Sequence, residues 1–169
     1  MLNDAFWNVI GKCLESLTKQ GIDFTLTIMG GSPPSTIEAL KSIVFKSFTS
    51  NVLKKVNFKF NVSNEERDQE LEKCSILIYP PSTEGLGMPV FEAVMKHLVV
   101  LSARQTALIE FVSPWIYPSR EFRYSQFCQA LVNAIVKYDE MLSHIRNVRK
   151  EIATLTLANL IKFIKIIKA

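Results

Sequence analysis

The stretch SILIYPPSTEGLGMPVFEA, residues 75–93, decides how the whole chain is read. Ser75 to Tyr79 is an apolar run without alternation, the pattern of a short strand covered on both faces. A loop rich in Pro, Ser and Gly follows, and Pro89 suits the first turn of a helix running to about Lys96. Strand, loop and helix in that order form the repeating unit of an α/β fold.

The unit recurs on either side. Phe24 to Met29 is β-branched and apolar, stops at Gly30-Gly31, and leads through Pro33-Pro34 into a helix from about Ser35. Val56 to Phe60 predicts a second strand, with Ser63 or Asn64 capping a helix whose first turn carries Glu65 and Glu66. Val99 to Ser102 predicts another strand; a brief helix over Thr106 to Phe111 and a fifth strand at Trp115 to Tyr117 follow. Upstream, Phe6, Val9, Ile10, Cys13, Leu14 and Leu17 recur at helical spacing, giving an amphipathic helix over Asn3 to Gln20 that Gly21 ends. From Tyr124 the chain is helical almost to its end, with a break expected between about Leu142 and Arg149. The expected fold class is α/β: a single Rossmann-like, doubly wound parallel sheet of about five strands flanked by helices, in one domain over residues 1–169.

Composition agrees without adding much. A chain of 169 residues can bury a real core, and 48% hydrophobic with 21% charged residues excludes a disordered or fibrous protein. A net charge of +4 fits an anionic ligand or a membrane surface and selects neither. Cys13, Cys74 and Cys128 are far apart with no C-x-x-C pair, so neither a zinc site nor a disulfide framework is expected, and a cytoplasmic setting is the default. The opening residues lack the form of a signal peptide, and no run of about 18 apolar residues predicts a spanning helix.

Ligands of doubly wound sheets bind beyond the carboxyl ends of the strands, and two loops there carry chemistry. At Gly30-Gly31-Ser32 two readings stay open: a bare backbone that a ligand approaches, or a tight turn needing positive φ. The second loop is richer. Amides of Gly85, Leu86, Gly87 and Met88 precede a helix with no intrahelical acceptor, at the positive end of its dipole, which makes an anion site suited to a diphosphate. Glu84 and Glu92 flank it with seven residues between them. Each carboxylate can accept paired hydrogen bonds from vicinal hydroxyls of a ribose or hexose. On spacing alone the ordinary reading of Glu92 is a dipole-favoured surface residue.

Taken whole, Tyr79 to Ala93 resembles the signature of the retaining GT-B glycosyltransferases of family 4, P-S-x-x-E-G-F-G-L-P-x-x-E-A. Leu86 stands for the usual Phe, and Ser82 is displaced by one place. Val56 to Glu66 is similar to the family's V-x-F-x-G-x-V-S-x-E-E, and Leu71 to Pro80 and Thr106 to Glu110 match its flanking segments. The likeness covers roughly Phe24 to Leu131. It implies the C-terminal, donor-binding half of a GT-B fold, from an enzyme that moves a hexose with retention from a nucleotide-diphosphate sugar to a glycan, lipid or other acceptor, without a metal or other cofactor. By position it implies that Glu92 binds the ribose, that the backbone of Gly85, Leu86, Gly87 and Met88 faces sugar and diphosphate, and that Glu84 is the catalytic contact near the reacting centre. Gly30 and Val62 complete the implied donor-binding set.

Departures from the family pattern matter too. Family members pair this domain with an N-terminal acceptor domain, here expected in cis or in trans. The sequence starts after the strand that normally supplies an Arg and a Lys to the diphosphate. The chain therefore reads as a fragment of a longer enzyme or a truncated product, inactive alone. The alternative is a non-catalytic nucleotide-sugar-binding or protein-interaction module. Phe60 stands where the family has Gly near the nucleobase, and Lys96-His97-Leu98 replace a small residue, Gly and Pro. His97 reads as a helix-end residue, since an imidazolium suits a helix C-terminus. The C-terminal stripe Leu157, Leu160, Ile161, Ile164 and Ile167, with Lys162, Lys165 and Lys168 beside it, either packs on a core or makes peripheral contact with the cytoplasmic face of a membrane; packing is the ordinary outcome. Lys54, Lys55 and Lys59 interleave with Phe58 and Phe60 like a stacking platform, yet alternation turns Val56, Phe58 and Phe60 inward, so no nucleic-acid partner is expected.

Overall fold

The computed structural model describes residues 4–79, 88–102 and 124–167. They fall into two compact units, one of Met1–Lys73 with Glu121–Gln129, the other of Cys74–Arg120 with Ala130–Ala169.

In the first unit, helix α1 (Asp4–Lys19) buries Phe6, Ile10, Cys13, Leu14 and Leu17 of the stripe that its spacing predicts, and Trp7 and Gly11 besides, while Val9 is half-buried. It packs against α2 (Pro34–Ser47) and the short α3 (Ser50–Leu53), which bury Ile37, Val44 and Val52. Each such side chain contributes roughly 1.5–3 kcal/mol on leaving water. Trp7 is the joint of this core, edge-on to Phe6 at 4.9 Å and tilted against Phe48 at 6.1 Å. α1 ends in a Schellman motif. The N–H of Ile22 donates to Leu17 O, that of Gly21 to Thr18 O, and Gly21 takes φ 74°, which glycine adopts without steric cost. None of Cys13, Cys74 and Cys128 is in a disulfide, but the fold brings two of them together: Cys13 contacts Cys128, and burial followed by that neighbour pushes its thiol pKa well up.

Strands β1 (Leu26–Gly30) and β2 (Val56–Phe60) pair in parallel, Leu26 opposite Val56 and Gly30 opposite Phe60. α4 (Asn64–Glu72) follows β2, and its cap is Ser63, whose Oγ accepts from the Glu66 N–H at 3.1 Å. The Glu66 carboxylate turns to Lys59 at 3.0 Å instead of back to the cap.

The second unit repeats the parallel pair. β3 (Ile76–Tyr79) lies beside β4 (Val99–Ser102), with Ile76 opposite Val99 and Tyr79 opposite Ser102. Both faces are covered on β4, where Val99, Val100 and Leu101 are buried in succession, whereas β3, expected to be so covered, is half-buried along its length. The reason is packing: α5 (Met88–Met95) touches both strands, while the long C-terminal helix adds contacts to β4.

Helix α6 (Tyr124–Val136) and helix α7 (Tyr138–Ile167) complete the chain. The break expected between Leu142 and Arg149 is absent. The interruption falls at Lys137, and even there Lys137 N–H donates to Asn133 O and Met141 N–H to Lys137 O. Met141, Ile145 and Val148 keep a buried stripe through the polar stretch, so the helix has no reason to stop there. Among the described residues the strands form two separate two-stranded parallel sheets, where one sheet of about five strands was expected. The helix over 106–111 and the strand at 115–117 lie outside the described residues.

Candidate functional site

Of the implied donor-binding set, Gly30 and Val62 belong to the first unit. Gly30 closes β1, and Val62 lies between the end of β2 and the capping Ser63. The ladder continues one step past both strands, with Asn61 N–H donating to Gly30 O at 3.0 Å. The two residues are thus brought to one place, the carboxyl end of a parallel pair, where α/β folds hold ligands.

Of the two readings of Gly30-Gly31, the turn that needs positive φ is overturned: Gly21 is the glycine with positive φ among the described residues. Nor does crowding demand glycine. A Cβ at Gly30 would meet nothing within 4 Å, and one at Gly31 only Asn61 Oδ1 at 3.8 Å. Both residues are exposed. What the two glycines give is open backbone at a strand end.

Met88 and Glu92 belong to the second unit, on α5. Met88 begins the helix and is exposed, with Pro89 next to it in the first turn. Glu92 is half-buried one turn on, and its carbonyl accepts from Lys96 N–H at 3.1 Å. The face that α5 buries is Val90, Ala93 and Val94, which fixes the direction in which the helix enters. Glu84, Gly85, Leu86 and Gly87 lie outside the described residues.

The end of α5 repeats that of α1 with a different residue. Leu98 N–H donates to Ala93 O and His97 N–H to Val94 O, and His97 takes φ 62°. This is the left-handed position where the sequence resemblance has glycine. Its ring Nε2 accepts from Arg149 on α7, while Nδ1 is buried without a hydrogen-bond partner. The helix-end placement is as expected, but the imidazolium is not. Burial first, then Arg149 and Arg146, holds the His97 pKa below its ordinary value, so the ring is neutral. A left-handed non-glycine residue costs about 1–2 kcal/mol. His97→Gly should therefore be more stable than His97→Ala by about 1 kcal/mol in urea unfolding, since both lose the ring and only Gly loses the strain. Because the unfolded histidine is the more readily protonated, its contribution is intact above about pH 6.5 and fades as pH falls. That part of the pH profile should vanish in both variants.

The aromatic and basic residues of β2 pair differently from a stacking platform. Phe58 stacks on Phe60 at 6.0 Å and meets the exposed Phe45 at 5.8 Å; Phe58 and Phe60, expected to turn inward, are half-buried. Lys59 pairs with Glu66, while Lys55 pairs with Asp23 and lies over the Phe24 ring. Among the described residues no group of three His, Cys, Asp or Glu side chains could hold a metal, and no helix is long and apolar enough to cross a membrane.

Parallel strand pairs alternating with helices place the chain among the α/β domains. Residues 8–135 match the family described as glycosyl transferases group 1, and the chain belongs to that family. It is also similar to part of a solved structure described as "Crystal structure of GtfA/B complex", with a TM-score of 0.63 and 16% identity. The match takes in 86% of this chain and 29% of that one, so the likeness is one of fold, and this chain spans under a third of that chain's length. No curated protein matches the sequence.

Sequence reasoning missed Asn61, which is the residue that ties the two strand ends together. Its one signal was an asparagine directly after a strand, the residue type besides glycine that most readily turns left-handed.

Proposed function

We propose that this chain is the nucleotide-sugar-binding half of a retaining glycosyltransferase of GT-B type, taking a hexose donor on a nucleoside diphosphate. The family match over residues 8–135, which spans the signature from Glu84 to Glu92, carries this reading. In it the diphosphate lies on the amides of Gly85 to Met88, Glu92 accepts hydrogen bonds from the ribose, and Glu84 contacts the sugar near the reacting carbon. The family resemblance gives Gly30 and Val62 donor-binding roles as well. Open backbone at Gly30 and Gly31 supports this, because a phosphate-bearing ligand is held by close approach to main-chain amides. The acceptor is held by a further domain, in cis or in trans.

Calorimetric titration of the chain with UDP-, GDP- and ADP-sugars tests the reading. Binding of one of the three at millimolar concentration or tighter, about −4 kcal/mol or better, is the expected result. No heat and no thermal shift with any of them at millimolar ligand would remove it.

A further inference from the structure

β1 and β2 end side by side, Gly30 opposite Phe60, and one side chain links the two segments that follow them. Asn61 has the geometry for it. Its N–H continues the ladder to Gly30 O, and its backbone then turns left-handed at φ 54°. That turn lets the carboxamide reach back to the exit of β1, where it meets the backbone of Ser32 twice. Oδ1 accepts the Ser32 N–H at 3.0 Å, and Nδ2 donates to the Ser32 carbonyl at 3.0 Å.

Two demands meet at this position. The side chain must offer a donor and an acceptor together, which an aspartate cannot do, and the residue must tolerate the left-handed region, which the longer glutamine does poorly. Asparagine satisfies both. The result is a loop pinned at Ser32 and bare at Gly30 and Gly31, where a Cβ would meet nothing closer than Asn61 Oδ1.

We infer that Asn61 is a positioning residue for the donor: it holds the Gly30–Ser32 loop in a conformation whose open backbone the nucleotide approaches. This rests on the donor-binding reading above. The loop is ordered before the ligand arrives, so binding does not have to fix it.

Asn61→Gly separates the roles, because glycine keeps the left-handed backbone without strain and removes only the carboxamide. The measurements are the Kd for whichever of UDP, GDP or ADP the wild type binds, the hydrogen exchange of the Ser32 amide, and the thermal midpoint. The expected outcome is faster Ser32 exchange and a Kd raised about fivefold to tenfold, with the midpoint nearly unchanged. If Asn61→Gly does not fold, Asn61→Asp, which keeps the acceptor and loses the donor, is read by the same measurements with a smaller shift expected. Unchanged Ser32 exchange, or faster exchange with the wild-type Kd, overturns the inference alone. A wild type that binds none of the three diphosphates overturns the donor-binding reading and this inference together.

Discussion

Glu92→Ala is expected to weaken binding of the nucleotide-sugar about 10- to 100-fold. A hydrogen bond to a charged acceptor is worth about 1.5–3 kcal/mol net, and each ~1.4 kcal/mol is a factor of ten. Glu92 sits one turn into α5, half-buried, on a helix whose buried residues Val90, Ala93 and Val94 hold it in place. Its carboxylate is therefore carried by a fixed element and not by a loop. Glu92→Gln keeps one acceptor oxygen without the charge, so its loss should be nearer the lower end. Titration of both variants, with thermal midpoints taken on the same samples, separates lost affinity from lost folding. Wild-type affinity in Glu92→Ala would take this residue out of the donor site.

Gly11→Ala should lower stability by about 1–3 kcal/mol, a shift of roughly 2–4 °C in the thermal midpoint per kcal/mol. Propensity alone points the other way, since alanine is favoured over glycine inside a helix by about 1 kcal/mol. The structure reverses the sign. A Cβ at Gly11 would lie 2.5 Å from the Ser47 carbonyl oxygen and 2.7 Å from Phe48 Cδ1. The first is backbone at the end of α2, and the second belongs to a buried ring that packs on Trp7. Neither gives way cheaply, so α1 and α2 would have to part. Chemical denaturation checks it, and a variant as stable as the wild type would mean that this helix pair yields without cost.

Much of the local structure was legible in the sequence because it follows from periodicity and end signals. Most of the stripe from Phe6 to Leu17 and the strand at Val56 to Phe60 fall where spacing and residue type put them, and the cap is Ser63, one of the two residues expected. The failures share a cause. The break expected within Leu142 to Arg149 does not occur, because three of every seven helical positions suffice to bury a helix, and Met141, Ile145 and Val148 supply them. Covering β4 more fully than β3 depends on which strand α5 and α7 both reach, a property of no single segment. His97 shows both sides. Its place at a helix end was readable, while its charge state was not, because Arg146 and Arg149 come from an element 49 residues and more away in sequence.

The site divides in the same way. The order Glu84, two glycines, Pro89 and Glu92 is a linear pattern, so the sequence by itself identified the family and nominated the donor-binding residues. Tertiary structure decided what the first glycine pair is not for. Gly30 and Gly31 need neither positive φ nor room for a neighbour, and their loop is held from 29 residues away by the Asn61 carboxamide. Spacing along a chain records local geometry, whereas a hydrogen bond between two strand exits exists only after the strands have paired.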